Sequence, residues 1–415
     1  MLANFEAEDS WNEGRPGLPS IAGLAQTGVV DRLEELGVWL ASDDDVVLLR
    51  EAPDPSFERY LRSTGLFSGT IITGSAEEGD EARLAEARGF SATALAGLAS
   101  RGAVLVPMGN TIETEAVASA AGIRVSSPSV DVCARVNPKS FSQALCERLG
   151  VPRPLSVATR TLGELRKGLK TLMQVAPRVC VKESMGVSGR GIVNIDSAVA
   201  ADRLLRMLSK THQESDALDF VIEEWIDDAA DVNYQMLIDE DGAISLLGVR
   251  SAQVVRGVHQ GHRTPSGVPA FAAEILKEHG RRICEALRDE TGYFGIVGID
   301  ALITGSGAVY PCLEINARLN MSTFQNRIVD EYVGPYRSSR FTYIRLSPES
   351  PLGFEWIWQR LDDLLYRPGD DSGVIVMCHA TTRGRSDRRL YLAAIGDNSI
   401  DVEELVAVAS TRLED

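Results

Sequence analysis

The middle of the chain is dominated by short apolar runs bounded by turn residues, and this pattern most constrains the fold. Two turn signals, Asp239–Gly242 and Thr304–Gly307, contain glycine and join consecutive runs directly. Such short connections join antiparallel neighbours, whereas parallel strands need a crossover of a dozen or more residues. The pattern therefore predicts antiparallel strands at Arg178–Lys182, Gly191–Ile195, Phe220–Glu223, Asn233–Asp239, Ala243–Arg250, Gly295–Thr304 and Val309–Glu314.

The first third of the chain has a different pattern. Short apolar runs at Val46–Leu49, Thr70–Thr73 and Ala103–Pro107 alternate with segments rich in Ala, Glu and Arg, such as Glu81–Arg88. Strands that alternate with helices are typical of a parallel sheet covered by helices. We therefore expect an α/β domain first and a mixed α+β region after it. A chain of 415 residues is compatible with about three domains of roughly 150 residues each.

The composition disfavours several classes of function. Lys and Arg number 42 against 59 Asp and Glu, and this net charge of −17 disfavours binding to nucleic-acid phosphates. The longest uncharged stretch, Pro16–Val30, contains two Pro and three Gly and does not predict a membrane span. The acidic N-terminus lacks the basic and apolar regions of a secretory signal. We therefore expect a cytoplasmic protein whose six Cys are buried apolar residues.

A helix is predicted from about Pro138 to Leu149. Asn137 is a typical N-cap residue, and proline suits the first helical position after it. Gly150, followed by a proline-rich segment, is a typical stop signal. The sequence therefore predicts both ends of this helix.

The segment Val179–Ile192 is the first that suggests a chemical role. Lys182 ends a predicted strand. The loop after it contains four small residues, Gly186, Ser188, Gly189 and Gly191. Glycines let backbone N–H groups approach phosphate oxygens, and the lysine supplies a counter-charge. The spacing matches neither a Walker A loop nor a Rossmann fingerprint, and an ordinary glycine-rich hairpin explains this segment alone equally well.

The segment Phe220–Asp231, with the sequence FVIEEWIDDAAD, is the second. An apolar run ends in two carboxylates, a tryptophan and an isoleucine, and further acidic residues follow. Groups at such a strand end can hydrogen-bond the edge of an adenine, and a later Asp can accept from ribose hydroxyls. An exposed acidic turn with Trp225 in the core explains this segment alone slightly better.

The most specific signal comes from the last two apolar runs. The turn between them folds one strand back on the other and brings Asp300 and Glu314 together. These carboxylates and the amide oxygen of Asn316 are hard ligands that suit Mg²⁺, which usually completes its octahedron with phosphate oxygens. Arg318, two residues further on, is placed to bind a phosphate or a developing oxyanion. A chance pair of surface acids is the alternative.

An H-x-x-H pair, His259 and His262, lies inside the basic segment Arg256–Arg263. A zinc pair is conceivable, but H-E-x-x-H is absent and the spacing indicates no third ligand. A glycine-rich basic loop that holds an anionic or acyl substrate is the better interpretation. A solvated loop without a role stays open.

Taken together, these segments resemble the ATP-grasp superfamily of carboxylate–amine ligases. The motifs match in order over about residues 100–330: N-P-K-S with Lys139, then Lys182 before G-x-S-G-x-G-I, then E-E-W-I, and finally D…E-I-N-x-R. The stretches N-P-K-S-F-S and G-Y-F-G-I-V-G-I-D-A-L-I look closest to the pheganomycin-type peptide ligases of peptide-antibiotic biosynthesis.

The resemblance implies an ATP-grasp fold of class α/β with an α+β core. Its parts would be a pre-ATP-grasp parallel-sheet domain at 1–135, a lid subdomain at 136–222, a core with the metal site at 223–335 and a small C-terminal lobe at 336–415. The implied cofactors are ATP and Mg²⁺, for which Mn²⁺ can substitute. The C-terminal lobe lies outside the shared superfamily core and is expected to be separate from it.

The resemblance also assigns residues. The nucleotide would be bound by Lys139, Lys182, Gly186, Ser188, Gly189, Gly191, Glu223, Glu224, Trp225, Ile226 and Asp231, and the metal by Asp300, Glu314 and Asn316. D-alanine ligases carry an Arg two positions before the metal Asp, where this chain has Gly298. We therefore expect Arg318, Arg250 or Arg263 to supply that charge.

The sequence thus predicts a ligase that activates a carboxylate as an acylphosphate and couples it to an amine. We expect it to form an amide or peptide bond in secondary-metabolite biosynthesis. The expected partners are a small carboxylic or amino acid donor and an amine or peptide acceptor, with neither nucleic acid nor membrane, and a homodimer is compatible with the sequence. Two alternatives stay open: ATP-dependent acylation of a carrier-protein thiol, and a nucleotide-binding regulator without turnover.

Overall fold

The computed structural model describes residues 1–18, 32–74, 90, 92–186, 191–255, 258–384 and 387–414. Its helices are α1 Ala7–Trp11, α2 Pro55–Ser63, α3 Ala92–Ala99, α4 Ile112–Ala121, α5 Val130–Val136, α6 Lys139–Leu149, α7 Leu162–Leu172, α8 Ala198–Leu208, α9 Ala270–Thr291, α10 Met321–Ile328, α11 Phe354–Leu361 and α12 Ser399–Glu414. Leu33–Leu40, Asp362–Leu364 and Ala380–Arg383 form 3₁₀ helices, and Val329–Val333 forms a π-helical turn. Within these described residues, no helix is long and apolar enough to cross a membrane.

The strands follow the apolar runs of the sequence. They are β1 Val46–Leu49, β2 Thr70–Thr73, β3 Val104–Leu105, β4 Arg124–Val125, β5 Ser156–Thr161, β6 Val179–Glu183, β7 Ile192–Ile195, β8 Ala217–Glu224, β9 Ala229–Ile238, β10 Ile244–Val255, β11 Val258–Thr264, β12 Gly295–Thr304, β13 Val309–Asn316, β14 Ser338–Arg345, β15 Gly373–Cys378 and β16 Arg389–Gly396. β1 pairs with β2 and β3 with β4, in both cases in parallel, which confirms the predicted character of the first third.

The middle of the chain forms two antiparallel sheets, as predicted. One has four strands in the order β5-β8-β6-β7, and the other has eight in the order β13-β12-β9-β10-β11-β14-β16-β15. Both predicted hairpins are present, because β9 pairs with β10 and β12 with β13. Gly242 and Gly307 close their turns at φ values of +88° and +86°, which glycine adopts without the steric cost that a Cβ would bring.

The last part of the chain does not form a sheet of its own. Its strands β14, β15 and β16 extend the eight-stranded sheet through the pairing of β11 with β14. Their side chains share one apolar core with α2, α10 and the segment Leu33–Leu40. The expectation of a separate lobe is therefore corrected, because the apolar faces of these strands are covered by the first part of the chain. The domain boundaries remain a prediction.

The start of α6 also differs from the prediction. Pro138, rather than Asn137, occupies the N-cap position, while Gly150 ends the helix at φ +63° as expected. The Asn137 side chain instead donates to the carbonyl of Cys133 at 2.8 Å and accepts from the N–H of Ala317 at 3.0 Å. It thus fastens the start of α6 to the end of β13, where the predicted metal ligands lie.

Candidate active site

A cavity of about 530 Å³ is lined by residues from the four-stranded and the eight-stranded sheets. Twelve of the predicted site residues line it: Lys139, Lys182, Gly186, Glu223, Glu224, Trp225, Ile226, Asp231, Asp300, Glu314, Asn316 and Arg318. Gly191 is described, at φ +72°, but is not among the lining residues. Ser188 and Gly189 lie outside the described residues.

Lys139 connects the glycine-rich loop with the predicted metal site. Its side chain is only 6% exposed, and Nζ donates to the Glu314 carboxylate and to the Gly186 carbonyl, both at 2.7 Å. The backbone N–H of Lys139 donates to the Ser184 carbonyl at 2.8 Å. A buried ammonium needs such partners, and these fix it at the point where the two sheets meet.

Lys182 shares a buried carboxylate with an arginine that the sequence analysis did not select. Glu223 is paired with Lys182 and, at 2.8 Å, with Arg153. Burial alone would raise the pKa of Glu223, but the two cations outweigh it and the pKa is lowered. Burial alone would lower the pKa of Lys182, and the attraction of Glu223 raises it instead. The Glu223 carboxylate is therefore the shared ion-pair partner of Lys182 and Arg153. Its contact with adenine stays a prediction.

The hinge between β8 and β9 forms the wall beside these charges. The N–H of Trp225 donates to the Arg178 carbonyl at 3.0 Å, and the Arg178 guanidinium lies 5.8 Å from the centre of the Trp225 ring. Asp228 adopts φ +53°, and its carbonyl accepts from the N–H of Gly305 at 2.9 Å. The hinge is thereby tied to the β12–β13 turn, which leaves Ile226 and Trp225 lining the cavity.

The predicted metal ligands come together as expected. Asp300 and Glu314 are directly opposite each other on β12 and β13, so their side chains share one face. Asp300 accepts from Asn233 at 2.7 Å and from Asn316 at 3.0 Å. Burial and the neighbouring Glu314 raise the pKa of Asp300 to about 6. Two crowded carboxylates and an amide form an oxygen-rich set, which a divalent cation such as Mg²⁺ fits.

Two observations bear on that fit. Asn233 Oδ1 is buried and has no hydrogen-bond partner among the described residues, so a further polar group or ion is needed near it. Within the same part of the chain, no group of three or more His, Cys, Asp or Glu side chains is arranged to hold a metal ion. The predicted set of two carboxylates and one amide therefore depends on oxygens from a ligand, as is usual for Mg²⁺.

The three candidate arginines are separated by the fold. Arg318 lines the cavity, and its guanidinium pairs with Glu8 and donates to Asn316 Oδ1 at 3.1 Å. Arg250 donates to the Val249 carbonyl at 3.1 Å and is not among the lining residues. Arg263 pairs with Glu403 at 2.5 Å, on the face of β11 opposite His262. Arg263 thus lies on the side of β11 away from the cavity, because neighbouring side chains of a strand face opposite sides. A catalytic role for Arg250 or Arg263 stays a prediction.

Gly298 shows why no arginine precedes the metal aspartate. A Cβ at this position would lie 1.9 Å from Asn320 Nδ2. Asn320 Oδ1 in turn caps α10 by accepting from the N–H of Ser322 at 3.0 Å and also accepts from the Gln235 side chain at 2.5 Å. The space that an arginine would need is therefore filled by a fixed amide.

His262, which the sequence analysis placed in a substrate-holding loop, lines the cavity and hydrogen-bonds the Ser322 hydroxyl at 3.1 Å, while the side chain of His259 lies outside the described set. Asn320 and Glu8 also line the cavity and were not predicted. Asn320 could have been noticed, because it closes the run E-I-N-A-R-L-N that carries Asn316 and Arg318. Glu8 had no such signal, since it lies 310 residues from Arg318 along the chain.

With this geometry established, comparison with known proteins identifies the fold. Residues 139–326 match the family described as the ATP-binding domain of the carbamoyl-phosphate synthase L chain. The structure resembles the L-amino acid ligase of Bacillus licheniformis at a TM-score of 0.57 and 13% identity, over 90% of this chain and 98% of that one. It resembles N5-carboxyaminoimidazole synthetase of Staphylococcus aureus at a TM-score of 0.58 and 12% identity, over 92% and 95%.

Two sequence relatives agree with this. The chain is 25% identical to the butirosin acyl-carrier protein–L-glutamate ligase of Niallia circulans over 290 residues. These aligned residues make up 69% of this chain and 67% of that protein. It is 25% identical over 198 residues to the carbamoyl phosphate synthase large chain of Myxococcus xanthus, of which it spans only 18%. Residues 139–326 are therefore similar to the ATP-binding domains of these ligases, and the predicted ATP-grasp ligase class is confirmed.

Proposed function

We propose that this chain activates a small carboxylic or amino acid with ATP and joins it to an amine, forming an amide or peptide bond. The observation that supports this most is the convergence of two buried lysines, the hinge and the Asp300–Glu314 pair on one cavity. Cationic side chains suit the phosphates, the hinge suits the base, and the carboxylates suit Mg²⁺. Among solved proteins of this fold, a carboxyaminoimidazole ribonucleotide synthase holds ATP and a biotin carboxylase domain holds ADP with Mg²⁺.

The proposed reaction has two steps. A donor carboxylate attacks the γ-phosphate, and this gives an acylphosphate and ADP. An amine then attacks the acyl carbon, and phosphate leaves. Lys139 and Lys182 would hold the phosphate oxygens, and their carboxylate partners orient both side chains before ATP binds. Arg318, beside Asn316, would face the oxygen that gains charge during the attack.

Mg²⁺ held by Asp300, Glu314 and Asn316 would neutralise phosphate charge. The chain itself contributes mainly position and electrostatics, because phosphoryl transfer needs little covalent chemistry from the protein. No protein nucleophile is involved in either step. The six Cys agree with this, since all of them are buried.

Trapping the activated acid tests the proposal without knowledge of the natural amine. The chain would be incubated with ATP, Mg²⁺, a panel of carboxylic and amino acids, and hydroxylamine, which converts an acylphosphate to a hydroxamate. We expect ADP and hydroxamate to form in equal amounts and only when an acid is present. ADP formation that is independent of every acid would contradict the proposal.

The metal site gives a sharper version of the same assay. Glu314→Gln keeps the shape of the side chain but removes a charge, so we expect the Mg²⁺ concentration for half-maximal activity to rise by at least about tenfold. Glu331→Gln is the matched control, because Glu331 is exposed and pairs with Arg327 on the protein surface. Superimposable Mg²⁺ curves for Glu314→Gln and the parent would remove Glu314 from the metal site.

Transfer to a carrier-protein thiol is the second candidate, and the similarity to the butirosin acyl-carrier protein–L-glutamate ligase favours it. An acidic carrier and a chain with a net charge of −17 would repel each other, so a local basic patch would be required. Supplying a pantetheine thiol and an amine in parallel reactions distinguishes amide formation from transfer to a carrier thiol. Formation of a thioester with no amide would favour transfer to a carrier thiol.

A further inference from the structure

The cavity has an opposite-charge pair at one end that the proposed reaction does not fully use. Glu8 of α1 accepts from Arg318 Nε at 2.7 Å through Oε1, and both side chains are about 10% exposed. Asn4 holds this segment in place, because its side chain accepts from the N–H of Met108 at 2.9 Å and donates to the Gly109 carbonyl at 2.6 Å. Glu8 is thus a fixed part of the cavity wall.

The second oxygen of this carboxylate has no partner in the part of the chain that the structure describes. Glu8 is 8% exposed, and its Oε2 atom is buried without a hydrogen bond to any described residue. Buried carboxylate oxygens are almost always satisfied, because leaving one without a donor is costly. A ligand that brings an N–H donor to Glu8 would satisfy it, and an ammonium would also match its charge.

The position of Arg318 sets where such a ligand must lie. Its guanidinium contacts Asn316 as well as Glu8, so the pair lies beside the predicted metal ligands, where the reacting carboxylate has to be. A ligand with its carboxylate near this guanidinium would direct its next carbon atom towards Glu8, because Glu8 and Arg318 are in direct contact. A molecule with a carboxylate and an ammonium on the same carbon suits both groups at once.

The neighbouring wall is apolar. Phe5, Leu33 and Met108 all line the cavity and belong to the same cluster of packed apolar side chains. Met108 is next to the charged pair, because its carbonyl accepts from the N–H of Leu319 at 3.1 Å. A donor held between Glu8 and Arg318 would place its side chain against this surface, which favours an apolar group over a charged one.

We propose that Glu8 binds the α-ammonium group of the donor, and that the donor is an α-amino acid with an apolar side chain. This inference rests on the proposed ligase function and specifies its substrate class. It separates this chain from its relative in Niallia circulans, whose name specifies glutamate.

The test compares each amino acid with the carboxylic acid that lacks only the amino group, again with hydroxylamine as the trap. For the parent protein we expect apolar amino acids to exceed their des-amino analogues by at least about 100-fold in kcat/KM, because a site built to bond a group rejects ligands without it. We expect Glu8→Gln to lose most of this preference, because kcat/KM should fall far more for the amino acids than for their des-amino analogues; any loss through the weakened Arg318 pair would affect both series alike. Glu13→Gln, at an exposed position nearby, is the matched control.

The outcomes separate this inference from the proposed function. Equal use of amino acids and des-amino acids by the parent would leave the ligase intact and overturn the role of Glu8. A preference for glutamate over apolar amino acids would overturn the apolar donor. If no acid gives a hydroxamate, the ligase proposal fails. The ammonium site is then tested separately by calorimetry of leucine binding to the parent and to Glu8→Gln. Equal affinities of the two proteins for leucine would overturn the role of Glu8.

Discussion

Three cations of the cavity, Lys139, Lys182 and Arg318, are each paired with a carboxylate that comes from another part of the chain. Burying a charge is costly unless a partner compensates it, so each pair is needed before any ligand is present. The pairs also fix the side chains, which lowers the conformational entropy that ATP binding would cost. At the scale of the residue, the site is therefore organised in advance by its own ion pairs.

Replacing Lys182 tests this arrangement. Lys182→Met keeps the length of the side chain but leaves Glu223 with Arg153 as its remaining cation. We expect the variant to lose about 1–3 kcal/mol of unfolding free energy and at least about 100-fold in the rate of ADP formation. Urea unfolding and the ADP assay measure the two effects.

Lys170→Met, at an exposed position of α7, serves as its control and should change neither quantity appreciably. A Lys182→Met variant with normal turnover would exclude this lysine from phosphate binding. Loss of stability with full activity would assign it a purely structural role.

A second pair of residues, away from the cavity, makes stability depend on pH. Glu35 accepts from the backbone N–H groups of His379 and Ala380 at 2.8 and 2.7 Å. Burial raises the pKa of Glu35 to about 7, so the folded state retains a proton that the unfolded chain loses above about pH 4.5. Burial lowers the pKa of His379 from 6.5 to about 4, so here the unfolded chain binds the proton more tightly.

The two groups act in opposite directions. Glu35 lowers the unfolding free energy as the pH rises from about 4.5 to about 7, whereas His379 raises it from about 4 to 6.5. Glu35→Gln removes only the first contribution, so stability should rise more steeply with pH in the variant than in the parent. Urea unfolding at several pH values between about 5 and 7 measures the slopes. The exposed Glu404→Gln should match the parent, and identical slopes for Glu35→Gln would refute the assignment.

At the scale of the elements, the contact between β11 and β14 joins the core strands to the last three strands. Gly261 lies in β11 at φ +144°, and a Cβ there would lie 1.7 Å from the Phe341 carbonyl oxygen of β14. His262 follows directly and faces the cavity, so this joint also supports the site. The two backbones approach closely at Gly261, directly beside the residues through which β11 pairs with β14.

Gly261→Ala should therefore force β11 and β14 apart. We expect a loss of about 2–4 kcal/mol, from the backbone conformation together with the collision. Gly267→Ala is a matched control, because Gly267 also has a positive φ, of +67°, but open space around its Cβ position. It should lose only about 1 kcal/mol. Equal losses in denaturant unfolding would show that the contact with Phe341 is unimportant.

At the scale of the whole molecule, the two ends of the chain share a core. The Trp39 indole donates to the Met377 carbonyl at 2.8 Å, and the N–H of Val376 donates to the Tyr60 hydroxyl at 3.2 Å. The apolar cluster around them combines side chains from the first 70 residues with side chains from 324 to 413. The last strands thus complete the first domain as well as the large sheet.

A chain that ends at residue 335 should therefore not fold on its own. It would expose the apolar faces of α2, α10 and the segment Leu33–Leu40, which are large enough to drive aggregation. Near-ultraviolet circular dichroism and denaturant unfolding would show weak tertiary signal and no cooperative transition. Co-expression with 336–415 should restore both. Cooperative unfolding of the shorter chain by itself would instead support an independent C-terminal lobe.

Local patterns in the sequence determined much of this protein. The four-residue turns fixed which strands are neighbours, and strand pairing then set Asp300 opposite Glu314 without knowledge of the rest of the fold. The glycine-rich loop, the hinge and the lysines were recognisable for the same reason, since each lies within a short segment whose chemistry is visible in its own residues. The ATP-grasp resemblance depended on the order of these segments alone.

Contacts between distant segments were decided only by the tertiary structure. The carboxylate partners of Lys182 and Arg318 are distant from them in the sequence. The apolar pattern of α1 predicts that this helix is buried, but it does not specify that Glu8 contacts Arg318. The placement of Arg263 away from the cavity depends on the register of β11 against β14, and a shift of one residue would reverse it. Local periodicity determines which faces of an element are buried. Long-range packing determines the surfaces that they are buried against, and in this chain it places Glu8 in the cavity wall.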